Sequence, residues 1–294
     1  MKVLNIGSLN VDYVYGVDHI VKPGETISSN GIAVFAGGKG LNQSVALAKA
    51  GVEVYHGGII GKDGQILMDA CKNFGIATKY LLEMESSSGH TIIQVDKNAQ
   101  NSILLFGGTN QSFTKDIVDN ILKDFKKDDI LLLQNEVNML DYIIDTAYEK
   151  DITIILNPSP FNEKLDNCNL EKVSYFLINE IEGEQITGIT NPNEIINKMN
   201  EQYPKAKIVL TLGKDGVVYF DGENIFKQDI FKVKAVDTTA AGDTFTGYFI
   251  AGLINKMDTQ ELLTMCAKAS SIAVSRKGAA TSIPTLEEVE NLTY

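Results

Sequence analysis

The chain has 294 residues, 44% of them hydrophobic, and carries a formal net charge of −12 at pH 7. That is enough apolar material for one large core or two modest ones, and the acidity argues against nucleic acid or an anionic membrane as a partner. Three cysteines (Cys71, Cys168, Cys266) and three histidines lie scattered without metal-ligand spacing, which argues against a zinc centre and fits reduced thiols in a cytoplasmic protein.

The first element is an apolar strand, Val3–Ile6, with neither the basic start nor the long apolar stretch of a signal peptide. No segment approaches the roughly 18 consecutive apolar residues of a membrane span. Strand-length apolar runs follow at 54–60, 130–133, 153–156, 175–178 and 208–212. Their continuity is that of strands covered on both faces. Amphipathic segments near 42–50, 64–74, 114–125, 139–149, 180–187 and 193–203 alternate with them. This rhythm predicts one α/β domain over residues 1–294, a doubly wound, mostly parallel sheet flanked by helices. Residues 214–229 break it with Val217–Phe220, a turn at Asp221-Gly222, then Ile225-Phe226, which together read as an antiparallel edge hairpin. Helical pattern returns at about 243–255, 259–275 and 285–292.

Two segments, about 11–35 and 88–107, instead read as short antiparallel strands with exposed alternation. Together they predict a small sheet projecting over the strand ends. The ligand crevice of a doubly wound fold lies there, so the sheet is expected to be a lid. The alternative is a decorative edge sheet or a dimer surface, and one sheet can be lid and dimer surface at once.

Polar residues gather where the apolar runs end. Gly7-Ser8-Leu9-Asn10-Val11-Asp12 follows the first strand and places Asn10 and Asp12 at its carboxyl end. Alone they are ordinary turn residues. Gly37-Gly38-Lys39-Gly40-Leu41-Asn42-Gln43 opens a helix, and glycines there let backbone approach a ligand closely, although the chain contains no P-loop pattern. Asn10, Asp12, Lys39, Asn42 and Glu136 would together make a set of short donors and acceptors suited to a polyhydroxyl ligand. Asn179-Glu180-Ile181-Glu182 starts another helix. Its acidic residues are dipole partners and nothing more, unless a triphosphate lies near; Glu182 would then hold a metal-bound water. Thr211-Leu212-Gly213-Lys214-Asp215-Gly216 either leaves room for a nucleotide at its two glycines or is a plain turn into the hairpin.

The most informative stretch is 236–245, Val-Asp-Thr-Thr-Ala-Ala-Gly-Asp-Thr-Phe. A helix that begins Ala241-Gly242-Asp243 aims unpaired N–H groups outward with no bulky side chain in the way, which makes an anion site. A carboxylate at the same mouth repels an anion. It serves instead as a base for a nucleophile attacking a bound phosphate. The local reading is phosphoryl transfer, with Asp243 as base beside an anion hole of backbone amides; the plainer alternative is an Asp that caps a helix.

Taken together, these pieces resemble the PfkB family of carbohydrate kinases, and within it the ribokinases. VDTTAAGDTF and AGGKGLNQ are similar to two signatures of that family, and GSLNVD, KPGET, LNPSP, NEIEGEQITG, TLGKDG and SRKGAATSIP occur in family order across nearly the whole chain. The resemblance implies a ribokinase-like α/β fold with a β-sheet lid, and ATP-dependent phosphorylation of a sugar, the 5-hydroxyl of D-ribose. Asp243 is implied as the base, and Ala241 and Gly242 as anion-hole amides. Asn10, Asp12, Gly38, Lys39, Asn42, Glu136 and Asp243 match sugar contacts. Asn179, Thr211, Leu212, Gly213, Lys214, Asp215, Gly216, Gly242 and Ala267 match nucleotide contacts. Glu182 matches an acidic residue linked to magnesium through water. Asp237, Thr239, Ala273, Arg276, Gly278 and Ser282 match the positions of an activating potassium ion. The resemblance also implies a homodimer joined through the lid sheet.

His90, Thr91, Ser102 and Phe106 depart from the lid pattern of the family. The competing acceptors are 2-deoxyribose, fructose-type sugars and nucleosides, and the small polar set favours a free pentose. A non-catalytic sugar-binding regulator is the alternative from another class; the intact Asp243, Gly242, Asn179 and Glu182 set speaks against it. A nicotinamide-dependent dehydrogenase would need a G-x-G-x-x-G after the first strand, and none is there.

Overall fold

Thirteen strands, β1 to β13 in chain order among the described residues, form two sheets in a computed structural model of the protein. The structure describes residues 1–98 and 100–292; Ala99, in the second expected lid segment, and residues 293–294 lie outside them. The larger sheet contains β1 (Val3–Ile6), β4 (Val54–Gly61), β5 (Ala77–Met84), β8 (Ile130–Gln134), β9 (Thr153–Asn157), β10 (Tyr175–Asn179), β11 (Lys207–Thr211), β12 (Val217–Phe220) and β13 (Ile225–Gln228). Their order is β13-β12-β11-β10-β9-β8-β1-β4-β5, parallel except for the β12–β13 hairpin. The sequence rhythm misses β5, whose apolar residues are interrupted by Lys79 and Glu83 and which sits at the sheet edge.

The helices are α1 (Lys39–Lys49), α2 (Gln65–Asn73), α3 (Lys115–Leu122), α4 (Leu140–Glu149), α5 (Glu180–Thr187), α6 (Pro192–Gln202), α7 (Ala241–Ile254), α8 (Thr259–Val274) and α9 (Leu286–Glu290). Alternate strand residues feed opposite layers, as the pleat requires. Val3, Ile130 and Leu132 join Leu41, Val45, Tyr248, Phe249 and Leu263 on the side of α1, α7 and α8. Leu4, Ile6, Leu131 and Leu133 join Val118, Ile143, Ile195 and Met199 on the side of α3, α4 and α6. Both faces are therefore covered, and the sheet is doubly wound. Strand order reverses at β1, which lies between β4 and β8. The crevice of such a fold opens at the carboxyl ends of the strands flanking that reversal.

The second sheet has the order β3-β2-β6-β7, from β2 (Asn10–Gly16), β3 (Gly31–Gly37), β6 (Gly89–Val95) and β7 (Asn101–Phe106). Its central pair, β2 and β6, is parallel, which corrects the antiparallel expectation. The reason is topological: β2 continues from β1 and β6 from β5, and these two core strands run the same way. Exposed alternation is also corrected, because every residue of β7 is exposed. Ile103 and Leu104, adjacent and therefore on opposite faces, are 57% and 67% exposed.

Candidate active site

Glycines set the geometry where α1 meets the end of β1. Gly40 lies on the Gly7–Ser8 backbone so closely that any Cβ would collide with it, and the Leu41 N–H donates to the Ser8 carbonyl at 3.0 Å. Gly37 lies under the Asp12 carboxylate, where a Cβ would overlap Oδ2. Gly38 needs its glycine for a second reason, a φ of +96°. The space that a side chain would need at these positions is thus filled by the chain itself. Their effect is to seat Lys39, Asn42 and Gln43 at the crevice.

Asp243 comes to the same place from the other side. It is the third residue of α7, a helix buried continuously from Asp243 to Gly252, and it is 6% exposed. No side chain caps α7. The Ala241 N–H turns back to the Thr238 carbonyl at 3.2 Å, whereas Gly242 faces open space. Of the amides expected to form an anion hole, that of Ala241 is therefore already engaged, and at Gly242 no atom lies where a side chain would begin. Asn42 Nδ2 donates to Asp243 Oδ2 at 3.3 Å and Gln43 Nε2 to Oδ1 at 2.9 Å. Burial pushes the Asp243 carboxyl above the usual carboxylate range, against the opposing pull of Lys39 and of the Gln43 and Asn42 bonds.

The remaining expected polyol contacts border this pocket on β2 and after β8. Asn10 Oδ1 accepts from Asn110 Nδ2 at 2.7 Å, and Asn110 also takes the Leu9 N–H, which pins the start of β2. Asp12 Oδ1 accepts from Thr91 Oγ1 at 2.6 Å across the parallel β2–β6 pair. Burial raises the Asp12 carboxyl while Thr91 acts to lower it. Glu136 accepts from the Ser8 hydroxyl and from the Lys39 N–H at 3.1 Å. Burial raises its carboxyl too, and Asp243 nearby adds to the rise. Asn42 Oδ1 is buried with no partner. A buried acceptor without a donor, beside the Asp243 carboxylate, is what a ligand rich in hydroxyl donors would complete.

Along the same sheet edge the carboxyl ends of β8 to β11 carry Gln134, Asn157, Asn179 and Thr211, with Gln134 opposite Asn157 and Asn179 opposite Thr211. Asn179 and Glu182 form a reciprocal cap on α5: Asn179 Oδ1 takes the Glu182 N–H at 2.9 Å, and Glu182 Oε2 takes the Asn179 N–H at 3.0 Å. The sequence reading took the acidic residues as dipole partners and did not foresee this cap, which occupies one Glu182 oxygen. Thr211 donates to the Ile178 carbonyl, and Leu212 leads into a short 3-10 turn of Gly213, Lys214 and Asp215. At Gly216, with φ +89°, a Cβ would collide with the Gln228 backbone, whereas at Gly213 it would meet nothing nearer than Glu180 at 4.0 Å. Ala267 lies half-buried on α8.

Behind α7, Asp237 ties two loops together. Its Oδ1 accepts from the Thr239 N–H and hydroxyl, and its Oδ2 from the Gly278 N–H at 3.0 Å. Burial acts to raise the Asp237 carboxyl, and these bonds outweigh it to leave it lowered. Ala273 offers its carbonyl to the Arg276 N–H, and Ser282 donates to the Ala279 carbonyl. The Arg276 side chain turns away from this loop pair into a bidentate bond with Glu288.

Sequence reasoning gave no role to Asn5, Gln43, Gln134, Asn157 or Asn110, and marked Thr91 only as a departure from the lid pattern; these residues hold the expected contacts in place. A signal was present for two of them. Asn5 interrupts the apolar run Val3–Ile6, and Gln134 ends the run Ile130 to Leu133; a polar side chain inside a buried strand must find a partner.

The profile of the pfkB family carbohydrate kinases matches residues 1–286. The chain belongs to that family. The kinase is similar to the ribokinase of Staphylococcus aureus strain COL, with 35% identity over 99% of both chains. It is 30% identical to the deoxyribokinase of Salmonella typhi, over 98% of this chain and 97% of the relative. Among solved structures it resembles the ribokinase of Cryptococcus neoformans in complex with ADP, with TM-score 0.85, 32% identity and 98% of each chain covered. It also resembles the Arabidopsis thaliana ribokinase complexed with ribose and ATP, with TM-score 0.85, 27% identity, and 98% of this chain and 97% of that one covered.

Proposed function

We propose that this carbohydrate kinase is an ATP-dependent ribokinase, converting D-ribose and ATP to D-ribose 5-phosphate and ADP. The observation that carries the reading is Asp243: an ionisable, almost fully buried carboxyl at the uncapped start of α7, beside the open face of Gly242. In this reading Asp243 takes the proton of the 5-hydroxyl as its oxygen attacks the γ-phosphorus. The Gly242 amide, with Ala241 sharing its N–H with Thr238, meets the developing charge on the phosphoryl oxygens. Asn10, Asp12, Gly38, Lys39, Asn42 and Glu136 bind the sugar, and the orphaned Asn42 Oδ1 receives one of its hydroxyls. Asn179, the turn from Thr211 to Gly216, and Ala267 border the nucleotide. The four-stranded sheet is the lid of a single domain, and its closure over the sugar keeps water from the phosphate.

Glu182 is the residue that would hold a magnesium ion through water, using the oxygen its cap leaves over; the ion would neutralise phosphate charge. Asp237, Thr239, Ala273, Arg276, Gly278 and Ser282 would hold potassium, mostly through backbone carbonyls, and so brace the loop before α7. Oxygen donors of low charge suit a large, weakly hydrated cation. The apolar residues left open on the lid sheet, Ile103 to Phe106 above all, support a homodimer through that sheet. The three free thiols fit a cytoplasmic location.

A second acceptor, 2-deoxyribose, is favoured by one observation. Thr91 occupies an acceptor position on Asp12 that a sugar diol would otherwise use, and the chain has a deoxyribokinase among its relatives. ADP release measured across a sugar panel, with ribose and 2-deoxyribose side by side, tests both. Ribose should have the highest kcat/KM; a higher value for 2-deoxyribose would replace the first reading by the second. No ADP release with any sugar would favour a binding regulator.

A further inference from the structure

Beneath Asp243 runs a chain of buried amides. Gln43 Nε2 donates to Asp243 Oδ1 at 2.9 Å and to Asn157 Oδ1 at 3.0 Å, while Gln43 Oε1 accepts from Gln134 Nε2 at 2.6 Å. An amide is nearly symmetric in shape, so its fit alone does not say which end faces a carboxylate. Here the ends of the chain decide it. The Gly40 carbonyl only accepts, so Asn5 turns its NH2 group to it at 2.7 Å and offers Oδ1 to Gln134 at 3.0 Å. Gln134 must then donate, both to Asn5 and to Gln43. That leaves Gln43 with its oxygen toward Gln134 and its NH2 group toward Asp243.

A second fixed acceptor imposes the same polarity. Asn157 Nδ2 donates to the Leu177 carbonyl at 2.9 Å, which turns the Asn157 oxygen to Gln43. Both hydrogens of the Gln43 amide are thereby directed, one at Asn157 and one at Asp243. The arrangement leaves Gln134 Oε1 buried without a partner, a cost that native cores seldom keep without a gain elsewhere.

We propose that Gln43 is a positioning residue for phosphoryl transfer: locked by Gln134 and Asn157, it holds Asp243 Oδ1 and leaves Oδ2, on the Asn42 side, to receive the proton. The step balances simply. The acceptor hydroxyl gives its proton to Oδ2, its oxygen bonds to the γ-phosphorus, and the bond from that phosphorus to the leaving ADP oxygen breaks. The inference rests on the reading of Asp243 as base. The charged groups facing Asp243 are Lys39 from α1 and Glu136 after β8. From α8 comes the uncharged Ser270, bonded to the Ala241 carbonyl. At the far end of the amides, burial holds His56 at a pKa of about 4, so no cation enters the relay at neutral pH.

The test is the pH profile of the full-length kinase with its best sugar, for Gln43→Met and Gln43→Glu. Loss of a directed donor should lower kcat roughly tenfold, a part of the 10²–10⁴ that a general base contributes, and move the acid limb of kcat to higher pH. Sugar KM should stay within about twofold, because the interaction acts on the transition state. Gln43→Glu keeps the shape and puts a second carboxyl beside Asp243, so its limb should move further; it decides the matter if the Met variant does not fold. An unmoved acid limb in a folded variant, or a kcat loss matched by an equal rise in sugar KM, overturns the proposal. Asp243→Asn separates the two claims. If it keeps turnover, the base assignment fails; if it is inert while the Gln43 profiles are unmoved, only the positioning role fails.

Discussion

Gly247 of α7 packs against Ala46 of α1 so closely that a Cβ on the glycine would collide with the Ala46 methyl. One turn nearer the start of both helices, Asp243 meets Asn42 and Gln43. The small pair is what lets the two helix starts close on the carboxylate. Gly247→Ala should therefore push α7 from α1, lower stability by about 1–3 kcal/mol as overpacking does, and reduce kcat more than sugar affinity. Thermal melts and steady-state kinetics on the variant check this; a stable variant with normal kcat would show that the helix spacing is set elsewhere.

Asp243 also ties activity to stability with opposite signs. Its folded pKa is raised, so the fold holds its proton more tightly than the unfolded chain does. Its contribution to stability is complete below the unfolded value of about 3.9 and is lost as pH rises through the folded value. Turnover needs the ionised form and rises over the same window. Asp12 and Glu136, raised by the same burial, have the same sign. Asp243→Asn should then be more stable than the parent at pH 8, by roughly 0.5–2 kcal/mol, the usual gain when a strained functional group is removed. The gain should shrink as pH falls toward 4. Melting curves at several pH values measure it, and a gain that grows on acidification would contradict the raised pKa.

Neither the strand order nor the switch at β1 could be read, because no run names its neighbour; the core strands and a doubly wound, mostly parallel sheet were legible because buried parallel strands write themselves as continuous apolar runs. The edge strand β5 was not, since Lys79 and Glu83 break its run where one side of the strand has no neighbour. Asn10, Asp12, Asn179 and Thr211 could be placed at strand ends by the run each one follows, whereas Asn42 and Asp243 could be placed only at helix starts. What holds them could not. The Gln43–Gln134–Asn5 bonds join positions up to 129 residues apart, and spacing along a chain says nothing of such pairings. Glycines were the least transparent residues: at Gly37, Gly40 and Gly216 a Cβ would collide with the chain's own atoms, which only three-dimensional packing reveals.

The two loops behind α7 separate backbone from side-chain roles. Asp237→Ala removes the three bonds that join Thr239 to Gly278, and should abolish any difference between rates in potassium and tetramethylammonium buffers while lowering kcat. Arg276→Met keeps the backbone carbonyl and loses only the Glu288 pair, which is partly exposed. That pair holds Glu288 at a pKa of about 2, so its contribution is present at neutral pH and is lost as pH falls from the ordinary carboxylate range toward 2. Solvent screening keeps it below about 1 kcal/mol. The Met variant should retain the potassium response. Equal rates of the parent in both buffers would remove the cation site altogether.

The lid sheet predicts assembly. Leu104 and Phe106 are 67% and 52% exposed on β7, an edge strand with Ile103 and Leu105 open on its other face. Long apolar edges seek a partner, and a second copy of the chain offers a matching strip by two-fold symmetry. Leu104→Glu places a charge in that strip without touching Asp12, Asn42 or Asp243. It should convert a dimer to a monomer in light-scattering chromatography at micromolar concentration. If lid closure depends on the partner, sugar KM should rise several-fold while KM for ATP stays near its original value. A parent chain that already runs as a monomer, or a Leu104→Glu variant that remains a dimer, would move the interface off this sheet.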